Sequence, residues 1–565
     1  MEFLDARRLT GPNLFGPGPG AILDVRSRPD EARALVDSWE KHIGRLLDAL
    51  GWQKVPALHR QFIGGVSLVL PARIDALYTA SAVTEWAFAL CAAELTGSAA
   101  PHFDLTLAST QQATEAEANP ALLALEDAAA MHETAFLWDD DEVSLGHGRY
   151  SRHWPISALP SPGSLDWQKF RQVPVALVTG TNGKTTTVRL AAHILRDTGK
   201  MVGMSSTESI SVNDLIVERG DWSGPGGARA VLRHSDVETA ILETARGGLL
   251  RRGLAVTEAD VALITNIAED HFGDFASQSL NELLDIKWIV SHAVAKRGTL
   301  VLNADDALLV KRSTTHAGRI DWFSLDAGNT FLESHTAKGG RAFVLSGEDL
   351  VMIDKRQRDV FGRVSDIPIT LQGAAHHNIA NALAAAAVSM RLGASLEQVR
   401  VGLKSMLPQK NPGRSNLYDV QGFQVLVDFA HNPHAMRALF GVARSLPAKR
   451  RILCFGQAGD RTDEQIRELA RSAWSIGLDR IVISELAAYA RGRAPGVVHS
   501  ILRDELQRSG ARSDQILYFE KESDSFDAAL QWARPGDLVI LLALGGNAQV
   551  HAKLDALCRE RPGAA

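Results

Sequence analysis

Val178-Thr-Gly-Thr-Asn-Gly-Lys-Thr-Thr-Thr187 is the stretch on which the fold turns. The apolar run at 173–179 has the length of a buried parallel strand. Two glycines then turn the chain, and 184–195 carries a helical pattern. Backbone N–H groups in such a turn, at a helix N-terminus, point at phosphate oxygens. Lys184 can neutralise terminal phosphate charge, and Thr185 can offer its hydroxyl to Mg²⁺. The spacing departs from G-x-x-x-x-G-K-[ST], because position 178 is valine. The strand, Gly180, Gly183, Lys184 and Thr185 together still argue against an ordinary glycine-rich turn.

Outward from this loop, apolar runs at 239–242, 261–265 and 300–302 read as further strands, and 280–294 as a helix. The alternation predicts a parallel sheet covered by helices, with ligands bound at the strand C-terminal ends. Glu243 follows one such strand and can hold Mg²⁺; an N-cap is its plainer reading. Asn266, Asp270 and His271 follow another. Lys287, taken alone, reads as a solvated helix lysine. A third unit begins near Pro412, with strands at 425–427, 452–455, 480–483 and 538–542 and helices at 434–445, 463–475 and 548–558. Residues 1–157 carry no glycine-rich phosphate motif. They contain a long helical pattern at 74–94 and an acidic run, Asp139 to Glu142, that reads as a solvated loop. The prolines and glycine of Ala158-Leu-Pro-Ser-Pro-Gly163 mark a linker.

Composition sets the outer bounds. The chain has 565 residues, enough for about three to five domains. With 45% hydrophobic and 22% charged residues it is globular rather than disordered. A net charge of −6 argues against a broad basic nucleic-acid surface. Cys91, Cys454 and Cys558 are too scattered for a metal site or a disulfide framework. No run of about 18 apolar residues suggests a membrane span, and the charged opening Met-Glu-Phe-Leu-Asp-Ala-Arg-Arg does not suit a signal peptide. A cytoplasmic protein is expected, with homo-oligomerisation left open.

Thr179-Gly-Thr-Asn-Gly-Lys-Thr-Thr186, Glu243, Asn266-Ile-x-x-Asp-His271, Lys287 and Asn303-Ala-Asp-Asp306 recur in order. His377-Asn378-x-x-Asn381, Pro412-Gly-Arg414 and Asp428-Phe-Ala-His-Asn-Pro433 follow them. This series, over about residues 173 to 550, resembles the Mur ligase family. Glu243-Thr-Ala-Arg-Gly-Gly248, Gly459-Asp-Arg-Thr-Asp463 and Arg491-Gly-Arg-x-Pro-Gly496 point further, to the Mur-ligase-like half of the cyanophycin synthetases. Arg8-Leu-Thr-Gly-Pro-Asn13 is similar to the N-terminal domain of that group.

The resemblance implies an α/β protein. An α+β N-terminal domain at 1–157 precedes a Mur-ligase-like central P-loop ATPase domain at 168–410 and a C-terminal Rossmann-like α/β domain at 411–565. It implies an ATP-dependent carboxylate–amine ligase that forms an amide or isopeptide bond through an acyl phosphate. By the same carry-over, Gly180, Thr181, Asn182, Gly183, Lys184 and Thr186 cradle ATP. Thr185, Glu243, His271 and Lys287 hold Mg²⁺, with Lys287 carbamylated as in many members. Lys184, Glu243, His271 and Lys287 form the implied catalytic set. Asn381 approaches the adenosine, and Arg414, Asp428 and His431 close over the nucleotide. Asp460, Arg461, Arg491 and Arg493 are candidate contacts to an amino acid or short peptide carboxylate and to an amine donor; exposed charges are their plainer reading.

The cyanophycin synthetases also carry an ATP-grasp domain between these parts. About 160 residues before the loop leave no room for both. One bond type on a preformed acceptor is therefore expected, rather than growth of an aspartate backbone. A poly-γ-glutamate- or folate-type ligase is the competing enzyme reading, and a non-catalytic nucleotide-binding scaffold the competing class. An ordinary P-loop ATPase leaves the downstream motifs unexplained.

Overall fold

The computed structural model describes residues 1–53, 55–269, 279–459, 461–545 and 547–559. Its centre is an eleven-stranded sheet. Seven neighbouring strands are parallel, in the order Val202–Ser205, Thr239–Glu243, Val175–Thr179, Ala259–Ile264, Val294–Asn303, Arg319–Ser324 and Arg341–Ser346. All five residues of Val175–Thr179 are buried, because helices cover both faces of the sheet. Lys184–Arg196 and His376–Arg391 pack on one face; Leu280–His292 and Pro225–Arg233 pack on the other. Each buried Leu, Ile or Val there contributes about 1.5–3 kcal/mol. The strand ends at Thr179, Glu243 and Ile264 lie side by side and open at one edge. That edge is where a doubly wound sheet binds ligands.

The sheet is mixed, not wholly parallel as expected. Ser209–Val212 and Leu215–Arg219 extend one side antiparallel, and Asp349–Asp354 and Gln357–Arg363 extend the other. Short turns join these hairpins, with Asn213, Gly347, Lys355 and Arg356 at positive φ. Such turns permit only antiparallel neighbours.

The last domain has a six-stranded sheet in the order Asn416–Val420, Phe423–Asp428, Leu538–Leu542, Arg451–Phe455, Arg480–Ser484, Ile516–Phe519. Only its first pair is antiparallel. The expected central strands are present. The two edge strands carry half-exposed residues, and their weak apolar pattern hid them from the sequence reading.

The N-terminal unit is a four-stranded antiparallel sheet, in the order Glu2–Leu9, Gly20–Arg26, Gly65–Pro71, Leu58–Phe62. Helices Pro29–Leu50 and Leu77–Thr96 share its core. The second helix begins at Leu77 rather than 74. The Glu117 carboxylate accepts the N–H groups of Tyr78 and Thr79, both at 2.7 Å, and so caps it from a distance.

The acidic run forms the expected exposed loop at Asp140 and Asp141, but it is tied down by ion pairs. Asp139 pairs with Arg229 and Arg233 of the central domain. Asp140 takes both arms of Arg8 at 2.7 and 2.8 Å and the Tyr78 hydroxyl at 2.8 Å. Arg8 and Tyr78 hold the Asp140 carboxyl low, at about 2. These are ties between and within units, which local sequence cannot show.

A second tie runs through the opening motif. The Thr10 N–H donates to the Arg252 carbonyl at 2.7 Å, and the Leu254 N–H to the Pro12 carbonyl at 2.8 Å. Arg7 Nε donates to the Leu250 carbonyl, while its Nη1 pairs with buried Asp24 at 2.6 Å. Gly11 has no alternative, since a Cβ there would lie 2.1 Å from the Leu254 carbonyl oxygen.

His147 lies where the first unit meets the central sheet. Its N–H donates to the Arg171 carbonyl, and the following Arg149 N–H to the Val237 carbonyl. The side chain is 2% exposed, neither ring nitrogen has a hydrogen-bond partner, and burial pushes its pKa down to about 4. The folded value lies below the ordinary 6.5, so the unfolded chain takes up this proton first. Stability from His147 is therefore complete above about pH 6.5 and lost as pH falls toward 4, by up to about 3 kcal/mol. Urea unfolding of wild type and His147→Leu at pH 7.5 and 5 should show the variant losing less stability on acidification. Equal pH dependence would contradict this.

Candidate active site

The glycine loop occupies the opening between the three strand ends. Gly180, at φ 141°, cannot be replaced, because a Cβ would sit 1.8 Å from Thr265 Oγ1. Gly183, at φ 86°, has its vacant Cβ position 2.3 Å from Asn381 Oδ1. The loop thus rests on Thr265 and on Asn381 of the helix beneath. Thr265 Oγ1 donates to the Asn182 carbonyl at 2.6 Å, and Asn266 Nδ2 donates to the same oxygen at 3.0 Å. The Asn182 N–H returns a bond to Asn266 Oδ1 at 3.0 Å. Asp306 stiffens the neighbouring strand end: one carboxylate oxygen caps Ala307–Ser313 and the other accepts the Ile267 N–H at 2.7 Å.

Lys184 Nζ folds back onto the Gly180 and Thr181 carbonyls, both at 3.0 Å. Its charge is thereby fixed at the mouth of the loop. Lys287 is not a solvated lysine. It is 4% exposed, and its Nζ donates to the Gly180 carbonyl at 2.9 Å from the opposite side.

Glu243 is 1% exposed. One carboxylate oxygen accepts the Thr185 hydroxyl at 2.9 Å and the Thr207 N–H at 3.3 Å. The other, Oε1, is buried with no hydrogen-bond partner. Burial raises the Glu243 pKa, against the pull of Lys184, the Thr185 bond and Arg414. An orphaned carboxylate oxygen beside a threonine hydroxyl, at a phosphate loop, suits a hard divalent cation. Among the described residues no group of three or more His, Cys, Asp or Glu side chains could hold a metal alone. Phosphate oxygens and water would complete such a site, as is usual for Mg²⁺.

The last domain closes over the loop. Asn432 Nδ2 donates to Asn182 Oδ1 at 3.0 Å, and Asn182 Nδ2 donates to His434 Nδ1 at 2.9 Å. Asn432 also caps its own helix, Pro433–Ser445, through the Ala435 N–H. Arg414 lies 3.7 Å from Glu208, over the Phe429 ring at 5.0 Å, with its buried Nε unpartnered. Asp428 accepts the N–H and hydroxyl of Ser415 at 2.7 and 2.9 Å, and His431 contacts the Phe429 carbonyl. Between the domains lies a cleft of about 1560 Å³.

The structure gathers most of the predicted residues along this cleft. Thr181, Asn182, Gly183, Lys184, Thr185, Thr186, Glu243, Lys287, Asn381, Arg414, Asp428, His431, Arg461 and Arg491 all line it. Arg493 does not line it. Its guanidinium grips the Gly459 and Arg461 carbonyls and Asp463, so it shapes the loop rather than facing substrate. Asp270, His271 and Asp460 lie outside the described residues. The sequence reading missed Thr207, Glu208, Asp221, Arg251, Arg252, His434 and Gln457, all on the cleft wall. His434, beside the recognised Asn432 and Pro433, had the nearest signal.

Family models agree with this geometry. Residues 178–389 match the Mur ligase middle domain, and residues 413–545 the Mur ligase, glutamate ligase domain. Over these two domains the chain belongs to the Mur ligase family. A cyanophycin synthetase from Geminocystis herdmanii is 37% identical over 66% of this chain and 42% of its own length. The chain thus spans about two fifths of that relative. A UDP-N-acetylmuramoyl-L-alanyl-D-glutamate–2,6-diaminopimelate ligase from Listeria innocua is 26% identical over 65% of this chain and 72% of its own. Escherichia coli FolC in complex with DHPP and ADP aligns at 20% identity and TM-score 0.49, over 68% of this chain and 89% of that one. Among the described residues no helix is long and apolar enough to cross a membrane.

In this Mur ligase architecture, the Asn182–Asn432 pair joins the central and last domains. Asn432→Ala removes that contact and a helix cap, so it should raise the KM for ATP several-fold and lower the thermal midpoint. Steady-state kinetics with differential scanning calorimetry would check both; no change in either would contradict the assignment.

Proposed function

We propose that this chain is an ATP- and Mg²⁺-dependent carboxylate–amine ligase. In the reading, ATP phosphorylates a carboxylate, an amine attacks the acyl phosphate, and phosphate leaves with formation of an amide. The acceptor is an amino acid or short peptide carboxylate. The observation that carries this is the buried Glu243 carboxylate, with one oxygen on Thr185 and the other orphaned, beside Lys184 in the glycine loop.

The central obstacle is electrostatic, since an anionic carboxylate must approach an anionic γ-phosphate. Lys184, fixed by two loop carbonyls, places a cation there at no reorganisation cost. Thr185 and Glu243 would hold Mg²⁺, which supplies further positive charge to the phosphates. Gly180, Gly183 and the first turn of Lys184–Arg196 present backbone N–H groups to phosphate oxygens. Arg414, with a free buried Nε at the domain junction, would bring a second cation when the last domain closes. Asn381 lies under the loop at the site read as the adenosine side, and Asp428 and His431 line the closing face. His271 is assigned to a second metal by the family motif alone. The relatives' printed names support a ligase: a cyanophycin synthetase for one and a UDP-N-acetylmuramoyl-L-alanyl-D-glutamate–2,6-diaminopimelate ligase for the other.

We further propose that Lys287 is carbamylated in the active enzyme. Its nitrogen is buried against the loop, where added carboxylate oxygens would meet the metal region rather than solvent. A cytoplasmic location is part of this reading, and homo-oligomerisation is left open by it.

Lys184→Ala and Glu243→Ala should each lower turnover about 100-fold or more at saturating ATP, the scale of lost transition-state electrostatics. ADP release with candidate carboxylates and amines, coupled to mass analysis of the conjugate, measures it. Wild-type-like rates in either folded variant would sink the assignment. Lys287→Ala should be similarly impaired and partly restored by acetate or formate. Failure of either acid to restore activity, together with an intact mass lacking the carbamate in bicarbonate buffer, would remove the carbamylation proposal.

A further inference from the structure

At the start of the last domain, three successive backbone N–H groups are each held by a different side chain. The Gly413 N–H donates to His551 Nε2 at 2.8 Å, the Arg414 N–H to Asn416 Oδ1 at 3.2 Å, and the Ser415 N–H to Asp428 Oδ2 at 2.7 Å. Gly413 has φ 70° and Ser415 φ 55°, so Arg414 stands between two left-handed residues. Such backbone persists only where its surroundings over-determine it. The three acceptors do so, and they set where the Arg414 side chain leaves the chain for the cleft that it lines. Of these acceptor types only an imidazole ordinarily titrates near neutral pH.

His551 belongs to the helix Asn547–Arg559, which begins after the matched family domain ends. Val550 and Leu554 of that helix are buried in the core of the last domain, so the imidazole is carried as a fixed group. The Nε2 that accepts from Gly413 has no proton of its own. The proton of the neutral ring is then on Nδ1, which donates to the Tyr418 hydroxyl at 2.6 Å. Burial pushes the Tyr418 pKa up to about 12, with Asp555 and Cys558 adding to the shift, so the phenol stays neutral. A second proton on His551 has only Nε2 to go to, where it would meet the Gly413 N–H donor to donor. Burial lowers the His551 pKa, against the pull of Asp555 on its own helix and of Glu208 in the central domain. The bond to Gly413 is therefore intact above about pH 6.5 and is lost as pH falls through the lower folded value.

Resting on the ligase reading above, in which Arg414 meets the nucleotide, we propose that His551 is a positioning residue for that arginine. Its neutral Nε2 holds Gly413, and through it Arg414, in the geometry that binds ATP, and its protonation releases them. Nucleotide affinity thus depends on pH at a point outside the glycine loop.

The experiment measures MgATP binding to the full chain by isothermal titration calorimetry between pH 8 and 5.5. His551→Gln keeps an acceptor oxygen and takes no proton in this range, so it should bind within about twofold of wild type at pH 8. Acidification to pH 5.5 should weaken wild type at least threefold more than this variant; protonation of the nucleotide itself is common to both and cancels. His551→Leu, or His551→Asn should the first fold poorly, cannot accept from Gly413 and should bind about tenfold more weakly at pH 8. In an Arg414→Ala background the same change should cost less than twofold, because the residue through which His551 acts is gone. Equal acid sensitivity of wild type and the Gln variant, a Gln variant as weak as the Leu variant, unchanged affinity in the Leu variant, or a full tenfold loss in the Arg414→Ala background would each overturn the proposal. Wild type that binds no MgATP, or Arg414→Ala that binds it as tightly as wild type, would instead strike the ligase reading's assignment of Arg414, and this proposal with it.

Discussion

The hydrogen bond from Thr185 to the buried carboxylate of Glu243 organises this protein. It joins the first turn of the helix after the glycine loop to the end of a neighbouring strand, in the most buried part of the central sheet. A carboxylate there is unfavourable unless it is compensated, and its pKa is raised by burial. Everything near it supplies that compensation. Lys184 points its charge inward, Thr207 donates an N–H, and Arg414 reaches in from the next domain. The remaining oxygen, Oε1, is buried without a hydrogen-bond partner.

Two different walls enclose that point. One is fixed. The N-terminal unit grips residues 250–254 through Arg7, Thr10 and Pro12; Arg251 and Arg252 of that stretch, with Arg246 before it, line the cleft. The other joins the central domain near Gly413 and Ser415, both at positive φ. His551 accepts the Gly413 N–H at 2.8 Å, and Asp428 holds Ser415.

Much of this was legible in the sequence. The loop, Glu243 and the strand ends announced themselves because buried parallel strands are continuous apolar runs, and glycine turns are sharp. Edge strands did not, since Asn416–Val420 and Ile516–Phe519 are only partly buried and carry polar residues. The ion pairs of Asp139 and Asp140 were hidden because their arginine partners are distant in sequence or in another unit. Lys287 looked exposed for the same reason: the carbonyl it meets is 107 residues away. Arg493 was left between a substrate contact and an exposed charge, because an arginine motif does not reveal which carbonyls it holds. Gln457 carries no motif at all; only burial without a partner distinguishes it.

Oxygen transfer tests the account most directly. A carboxylate substrate labelled with ¹⁸O is ligated under single-turnover conditions, and the released inorganic phosphate is analysed by mass spectrometry. Attack of that carboxylate on the γ-phosphate carries one of its oxygens into the phosphate when the amine displaces it. The account predicts one ¹⁸O in each phosphate for every amide formed. Amide product accompanied by unlabelled phosphate would contradict an acyl-phosphate route through the loop and Glu243.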